Sequence, residues 1–268
     1  MTGKKKIFIW SLFDFANTSF SIVVVTFLYA VYFKKVVAQG QPIGDLYWSL
    51  GTSIAMILTA IISPILGAIA DYSAGKKRFL LFFTLLCITA TASLFFVGSG
   101  NVFMGVLIFV LANVGFEAGL VFYDSFLPEI TEPKNYGRVS GYGFAMGYLG
   151  SLVTLAIIYP FIQAEMIKES FPVAALFFLT FSLPLFIYLK DNRKKIVEHK
   201  SYFKIGVTRV WNTISHLKNY KNLATFLLAY FFYIEGVNTI IFFSGNYAST
   251  TLGFSEIELL VFFLTVQT

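Results

Sequence analysis

The chain has 268 residues, 57% of them hydrophobic, 19% aromatic and only 13% charged, at a mean hydropathy of +0.75. Soluble domains carry about 25% charged residues, so this composition excludes an ordinary soluble globule. The net charge of +6 does not call for nucleic acid, which needs a basic face on a folded domain, because Lys and Arg here fall in short stretches between long apolar runs.

A bilayer core is about 30 Å thick, so a spanning helix needs about 20 apolar residues. Six runs meet or approach that length: 7–33, 46–70, 79–97, 102–123, 139–162 and 171–189. A polar stretch covers 190–222, a seventh run covers 223–244, and an eighth begins near Ile257. The eighth stops at Thr268 after about a dozen residues, too few to cross, so the chain is expected to end inside a helix and to be truncated. The expected fold is therefore all-α, a polytopic membrane helical bundle in three parts. Residues 1–190 form a six-helix half, 191–222 a connecting loop, and 223–268 the start of a second half.

The first run is expected to stay as a helix. It is longer than the apolar region of a secretory signal, and it carries Asp14 and Asn17 with no convincing cleavage site after it. With the N-terminus inside, 17 of the 20 basic residues fall on the cytoplasmic side, leaving Lys34, Lys35 and Lys168 outside. The positive-inside rule then sets a cytoplasmic N-terminus.

In the connecting loop, Phe203, Val207, Val210, Ile214 and Leu217 recur at helical spacing beside Trp211. Lys204, Arg209, Asn212, His216 and Lys218 occupy the other face. That pattern predicts a helix lying in the cytoplasmic interface, against the alternative of a solvated charged loop. His199 and His216 have no acidic or cysteine partners nearby, so no metal site is expected. Cys87, the single cysteine, permits no internal disulfide and is read as packing.

Ionisable residues inside apolar runs are costly, at about 2.5–3.5 kcal/mol on insertion scales, and usually face a cavity or a partner. In the first run Trp10, Asp14, Asn17 and Ser21 share one face. The fourth carries Asn113, Glu117 and, near its end, Asp124, and the seventh carries Glu235 and Asn238. Each acid has a structural reading, as a paired or hydrogen-bonded carboxylate, and a functional one, as the lining of a polar cavity. Their regular placement on the first, fourth and seventh runs favours a shared cavity.

Small residues mark close helix approach: Gly143 and Gly147 in the fifth run, with Gly150 and Ser151 beside them, and Ser63 and Gly67 beside Pro64 in the second. Pro160, Pro172 and Pro184 lie at or near helix ends. The loop Gly67-Ala-Ile-Ala-Asp71-Tyr-Ser-Ala-Gly75-Lys76-Lys77-Arg78 places a carboxylate at a helix end and three cations after a flexible turn. Asp71 can pair there with a cation or with the positive end of another helix and so latch one conformation. The bland alternative is a positive-inside loop.

This loop resembles the signature between helices 2 and 3 of the major facilitator superfamily, departing from it in Tyr72, where Arg is usual, and in one extra residue before the basic cluster. Three further stretches are similar to the vacuole-effluxer-like branch, relatives of the autophagy-linked vacuolar amino-acid exporter. They are Trp10-Ser-Leu-Phe-Asp14-Phe-Ala-Asn17-Thr-Ser19-Phe20, Tyr123-Asp124-Ser125-Phe126-Leu127-Pro128-Glu129-Ile130, and the segment from Arg138 through Gly143 and Gly147 to Gly150. Tyr233-Ile-Glu235-Gly236-Val-Asn238-Thr239 resembles a segment that usually has Asp at the Glu235 position.

The resemblance implies twelve helices in two six-helix halves, with helices 1, 4, 7 and 10 lining a path at their interface and one half rocking against the other. On that plan the present chain lacks the remaining C-terminal helices beyond its fragment of helix 8 and is not expected to transport alone. The expected function is a permease for a small polar solute, amino acids by resemblance. Proton coupling is expected, with Asp14, Glu117 and Glu235 as the leading contacts.

No G-x-x-x-x-G-K-[ST] is present, so no ATP site is expected, and no cofactor is implied. An intramembrane enzyme would need motifs such as H-E-x-x-H or G-x-S-x-G, which are missing from the sequence. A non-transporting scaffold, or a half-transporter needing a partner, is the remaining alternative. The expected location is the plasma membrane, with the vacuolar membrane as the alternative.

Overall fold

The computed structural model describes residues 3–73, 75–190, 207–208, 211–212, 215–216 and 221–267, the side chains of 68–73 and 266–267 excepted. Every regular element among these residues is helical. In chain order they are α1 (Gly3–Phe20), α2 (Leu28–Tyr32), α3 (Ile43–Ser73), α4 (Lys76–Ser93), α5 (Val102–Asp124), α6 (Leu127–Ile130), α7 (Tyr136–Gln163), α8 (Ser170–Tyr188), α9 (Lys221–Thr250) and α10 (Glu256–Gln267). Seven helical segments are long and apolar enough to cross a membrane, the first of them running from Gly3 to Val37 through α1 and α2. The protein is a multi-pass membrane protein, and each of its seven spans overlaps one of the seven apolar runs.

The first span is not a uniform helix. Ser21–Thr26 winds as a π-helix, closed by Phe27 N–H donating to Ile22 O at 3.1 Å, and Phe33–Val37 forms a second π turn. Five of the six residues in the first wide turn are β-branched, Ile22 to Thr26. Such side chains crowd the preceding turn of an α-helix, and widening the helix relieves that crowding. Phe27 follows at φ −122°, ψ −86°, outside helical geometry. Wide turns of this kind recur at functional sites.

This span is also the centre of the bundle. Its apolar window is 78% buried, against 17% for the second span and 6% for α9. α1 packs between α7 and α8, while α5 packs against α3 and α4, and α4 also meets α8. Glycines set the closest approaches. A Cβ on Gly115 would lie 2.7 Å from Cys87 N and 2.8 Å from Phe83 O, so α4 and α5 touch through backbone. A Cβ on Gly150 would strike the Phe15 carbonyl and lie 2.7 Å from Thr18 Oγ1, which brings α7 equally close to α1. Thr18 Oγ1 donates to Gly147 O at 3.0 Å across the same seam. Without a hydrophobic drive between helices in lipid, van der Waals contact of this sort holds the bundle together.

At the end of the bundle opposite the N-terminus, aromatic rings fill the core. Trp48 lies 4.4 Å from Phe109, and Tyr29 lies 5.4 Å from Phe171, centroid to centroid. The buried hydroxyls there are satisfied by backbone: Tyr29 donates to Gly105 O at 3.0 Å and Tyr32 to Val97 O at 2.9 Å.

Most of the expected interfacial helix lies outside the described residues, including Phe203, Lys204, Arg209, Val210, Ile214, Leu217 and Lys218, and so does His199. Val207 and Trp211 are helical and exposed. No cluster of His, Cys, Asp and Glu among the described residues could hold a metal.

Candidate functional site

Asp14 sits on the α1 face that meets α5 and α7. Its Oδ2 accepts from Tyr123 Oη at 2.8 Å and its Oδ1 from Asn17 Nδ2 at 3.3 Å. Tyr123 is itself fixed in three ways. Its ring stacks on Trp10 at 4.5 Å and 6°, its hydroxyl reaches Trp10 O at 3.1 Å, and its carbonyl accepts from Trp10 Nε1 at 3.2 Å. Gly143 completes the enclosure. A Cβ there would collide with Asp14 Oδ2 and lie 3.1 Å from the Trp10 ring. No cation pairs with Asp14 among the described residues. The carboxylate is thus half-buried, held by two neutral donors, and has no counter-charge among the described residues.

The sequence alone does not mark Tyr123 as a site residue, although it opens the Tyr123–Ile130 stretch. Its role was hidden because Trp10 and Tyr123 are 113 positions apart, and neither is expensive in a membrane.

One helix over, on α5, Asn113 is fully buried with both amide atoms unpartnered among the described residues. Glu117, one turn on, is half-buried and makes no hydrogen bond or ion pair among the described residues. A buried polar group without a partner costs about 1–3 kcal/mol, and in a native protein each calls for an explanation, such as a bound molecule. Asp124, expected on the same face, is exposed at the end of α5.

The seventh span behaves differently. The buried residues of α9 are Phe242, Gly245, Asn246, Ala248 and Ser249, all in its last third. There a Cβ on Gly245 would strike the Thr26 carbonyl, and Trp48 Nε1 donates to Phe242 O at 3.1 Å. The first two-thirds of α9 stands away from the bundle, with Glu235 exposed and Asn238 half-buried. The structure therefore brings together Asp14, Asn17 and Tyr123, places Asn113 and Glu117 on α5, and does not bring Glu235 and Asn238 to them.

Asn246 and Ser249 are buried and unpartnered at the junction between α9 and the first span. They continue the Glu235–Asn238 stripe at helical spacing. Carrying the seventh run past Ser244 would have revealed them.

At the N-terminal end of the bundle, the basic loop joins the end of α5. Lys76 is 1% exposed, its Nζ donating to Ser125 O at 2.9 Å and pairing with Glu129 Oε1 at 3.0 Å. Lys77 Nζ donates to Leu189 O at 2.7 Å, Gly75 caps α4, and Arg78 is exposed. Pro128 occupies the first turn of α6, and Arg138 Nη2 donates to Asn135 Oδ1 at 3.0 Å. The Asp71 side chain lies outside the described residues. The close approach expected at Gly67 is not found: among the described residues, no heavy atom lies within 4 Å of a Cβ built there.

The family model described as "Vacuole effluxer Atg22 like" matches residues 47–268. The chain belongs to this family. Its sequence is similar to YxiO of Bacillus subtilis (strain 168), described as an uncharacterized MFS-type transporter, at 35% identity over 274 residues that cover 96% of this chain and 63% of the relative. It is 25% identical over 252 residues to an uncharacterized protein of Aquifex aeolicus (strain VF5), covering 93% of this chain and 59% of that one. It is also 21% identical over 211 residues to Autophagy-related protein 22 of Kluyveromyces lactis, covering 70% of this chain and 43% of the relative. The chain thus spans at most about three-fifths of these relatives' lengths. No solved structure matches it significantly.

Proposed function

We propose that the intact protein is a secondary transporter of a small polar solute, working by alternating access between two halves. On this reading residues 1–190 form one half, 191–222 the connection, and 223–268 the opening of the other. The observation that carries it is the Asp14 locus, where a carboxylate without a counter-ion among the described residues is held in the most buried span by Tyr123 and Asn17. Such a group in a membrane marks a solute or ion path. The α9 contacts support the same reading. Among the described residues the span is buried against the bundle toward its Thr250 end and exposed toward its Lys221 end, as expected of a path open toward the N-terminal side. With the N-terminus cytoplasmic, that is an inward-facing arrangement. The membrane on this reading is the plasma membrane, with the vacuolar membrane as the alternative.

Cysteine labelling checks the arrangement. Cys87 is fully buried, so the native protein should react little with a hydrophilic maleimide. Glu235→Cys should label readily in the resting protein and Asn246→Cys should not. Equal labelling at the two positions would remove the asymmetry.

Transport itself is tested by reconstituting the intact protein in liposomes and screening radiolabelled polar solutes, amino acids first, with and without a pH gradient. Glu117 is the proposed proton carrier. Glu117→Gln should therefore leave solute exchange intact while abolishing the pH-gradient dependence. A gradient response that persists in this variant removes Glu117 from coupling. No flux of any solute in the panel above protein-free liposomes rejects this reading in favour of a scaffold.

A further inference from the structure

A groove of about 600 Å³ runs between α1 and α7 at the N-terminal end of the bundle, lined by Lys4, Ile7, Phe8, Ser11, Arg138, Tyr142, Ala145 and Met146. Its chemistry is graded along its length. Lys4 and Arg138 stand at its mouth, the middle is apolar, and no carboxylate lines it. Both cations belong to first helical turns, Lys4 being the second residue of α1 and Arg138 the third of α7. The partial positive charge of two helix N-termini adds to theirs. Arg138 spends one N–H on Asn135, and Lys4 has no ion-pair partner among the described residues.

Inside the groove Ser11 is 2% exposed, and its Oγ has no hydrogen-bond partner among the described residues. It lies seven residues beyond Lys4, about 10 Å deeper along the helix. The apolar walls are open rather than covered: Phe8 is 58% exposed and Tyr142 51%. The groove lies on the same α1–α7 seam as Asp14, because Gly143, whose Cβ would strike Asp14 Oδ2, is the neighbour of Tyr142.

We propose that this groove holds one anionic glycerophospholipid, its phosphate between Lys4 and Arg138, a glycerol-ester carbonyl accepting from Ser11 Oγ, and an acyl chain along Phe8, Tyr142 and Met146. The guanidinium fork and the ammonium match phosphate oxygens. The depth of Ser11 matches the ester level below them, and the apolar walls match the chain. The site depends neither on transport nor on which face of the membrane the N-terminus occupies.

The test is lipid retention by the purified intact protein in detergent, read by native mass spectrometry with dioleoylphosphatidylglycerol and dioleoylphosphatidylcholine. With two cations at the mouth, phosphatidylglycerol should be retained about 30-fold better. Lys4→Gln/Arg138→Gln should erase that preference, and Ser11→Ala should weaken retention of both lipids alike. Melting temperatures in phosphatidylcholine nanodiscs check folding. If the double variant does not fold, Lys4→Gln alone and Ser11→Ala carry the same comparison. Equal retention of the two lipids by the native protein overturns the proposal. So does a preference that survives loss of the cations. Displacement of phosphatidylglycerol by inorganic phosphate alone would make this a simple anion site and also overturn it.

Discussion

Lys76→Met should lower the stability of the bundle by about 3–5 kcal/mol, the range seen when one partner of a buried ion pair is removed and the other is left in place. The Lys76 side chain is 2% exposed and that of Glu129 12%, so water cannot replace the lost ammonium. The same substitution strips a donor from the Ser125 carbonyl, which Lys76 meets at 2.9 Å. Two other ion pairs give the contrast. Lys134–Glu132 is shorter, at 2.7 Å, but its side chains are 77% and 69% exposed; exposed pairs contribute little, and Lys134→Met should leave the melting temperature unchanged. Lys34–Asp45, at 2.6 Å with Asp45 half in solvent, should fall between them. Thermal unfolding of the three variants in one detergent orders them. A Lys76→Met protein that melts with the native one would show that the pair is not holding the basic loop to the end of α5. Adding Glu129→Met to Lys76→Met should recover part of the loss, because a well-packed apolar replacement of a buried pair is often near neutral.

That pair shows where sequence reading stops. The spans were legible because hydropathy over about 20 residues is a one-dimensional signal, imposed by the thickness of the bilayer. The glycine contacts were partly legible. Gly143 and Gly147 stand out by spacing, and Gly115, which makes an equally close approach, has the same spacing with Gly119, whereas Gly245 has no second glycine at that spacing. The loop containing Lys76 was recognised, but its partner Glu129 lies 53 positions away and looks in sequence like any acid at a helix end. The π-helical turns of the first span are not anticipated from sequence, although the run Ile22-Val-Val-Val-Thr26 holds the physical reason for the first of them. The polar stripe of α9 was read only as far as Asn238, and its buried part lies beyond. What sequence does not encode locally is which face of each helix meets which neighbour. The partners of Asp14 and Lys76 depend on that information.

On the proposed transport reading, Asp14→Asn should leave the intact protein folded and slow its flux by about tenfold or more. Asparagine keeps the shape of the side chain and can still accept from Tyr123, so the local hydrogen bonds need not break. What it removes is the charge, and with it any bond to a cationic solute group or to a transported proton. A hydrogen bond to a charged group is worth about 1.5–3 kcal/mol, so its loss from the rate-limiting state slows flux about 10- to 150-fold. Tyr123→Phe should do the reverse. The ring keeps its stack on Trp10 at 4.5 Å but loses its hydroxyl bonds to Asp14 Oδ2 and Trp10 O. That leaves a buried carboxylate short of one donor, costs stability of about 1–3 kcal/mol, and reduces flux less than Asp14→Asn does. Flux in liposomes and melting temperature in detergent, measured on the same preparations, separate the two. If Asp14 served only to tie α1 to α5, both substitutions would lower stability, and flux would fall with it in proportion. A variant that melts like the native protein yet carries nothing places the carboxylate on the path of the solute or its proton.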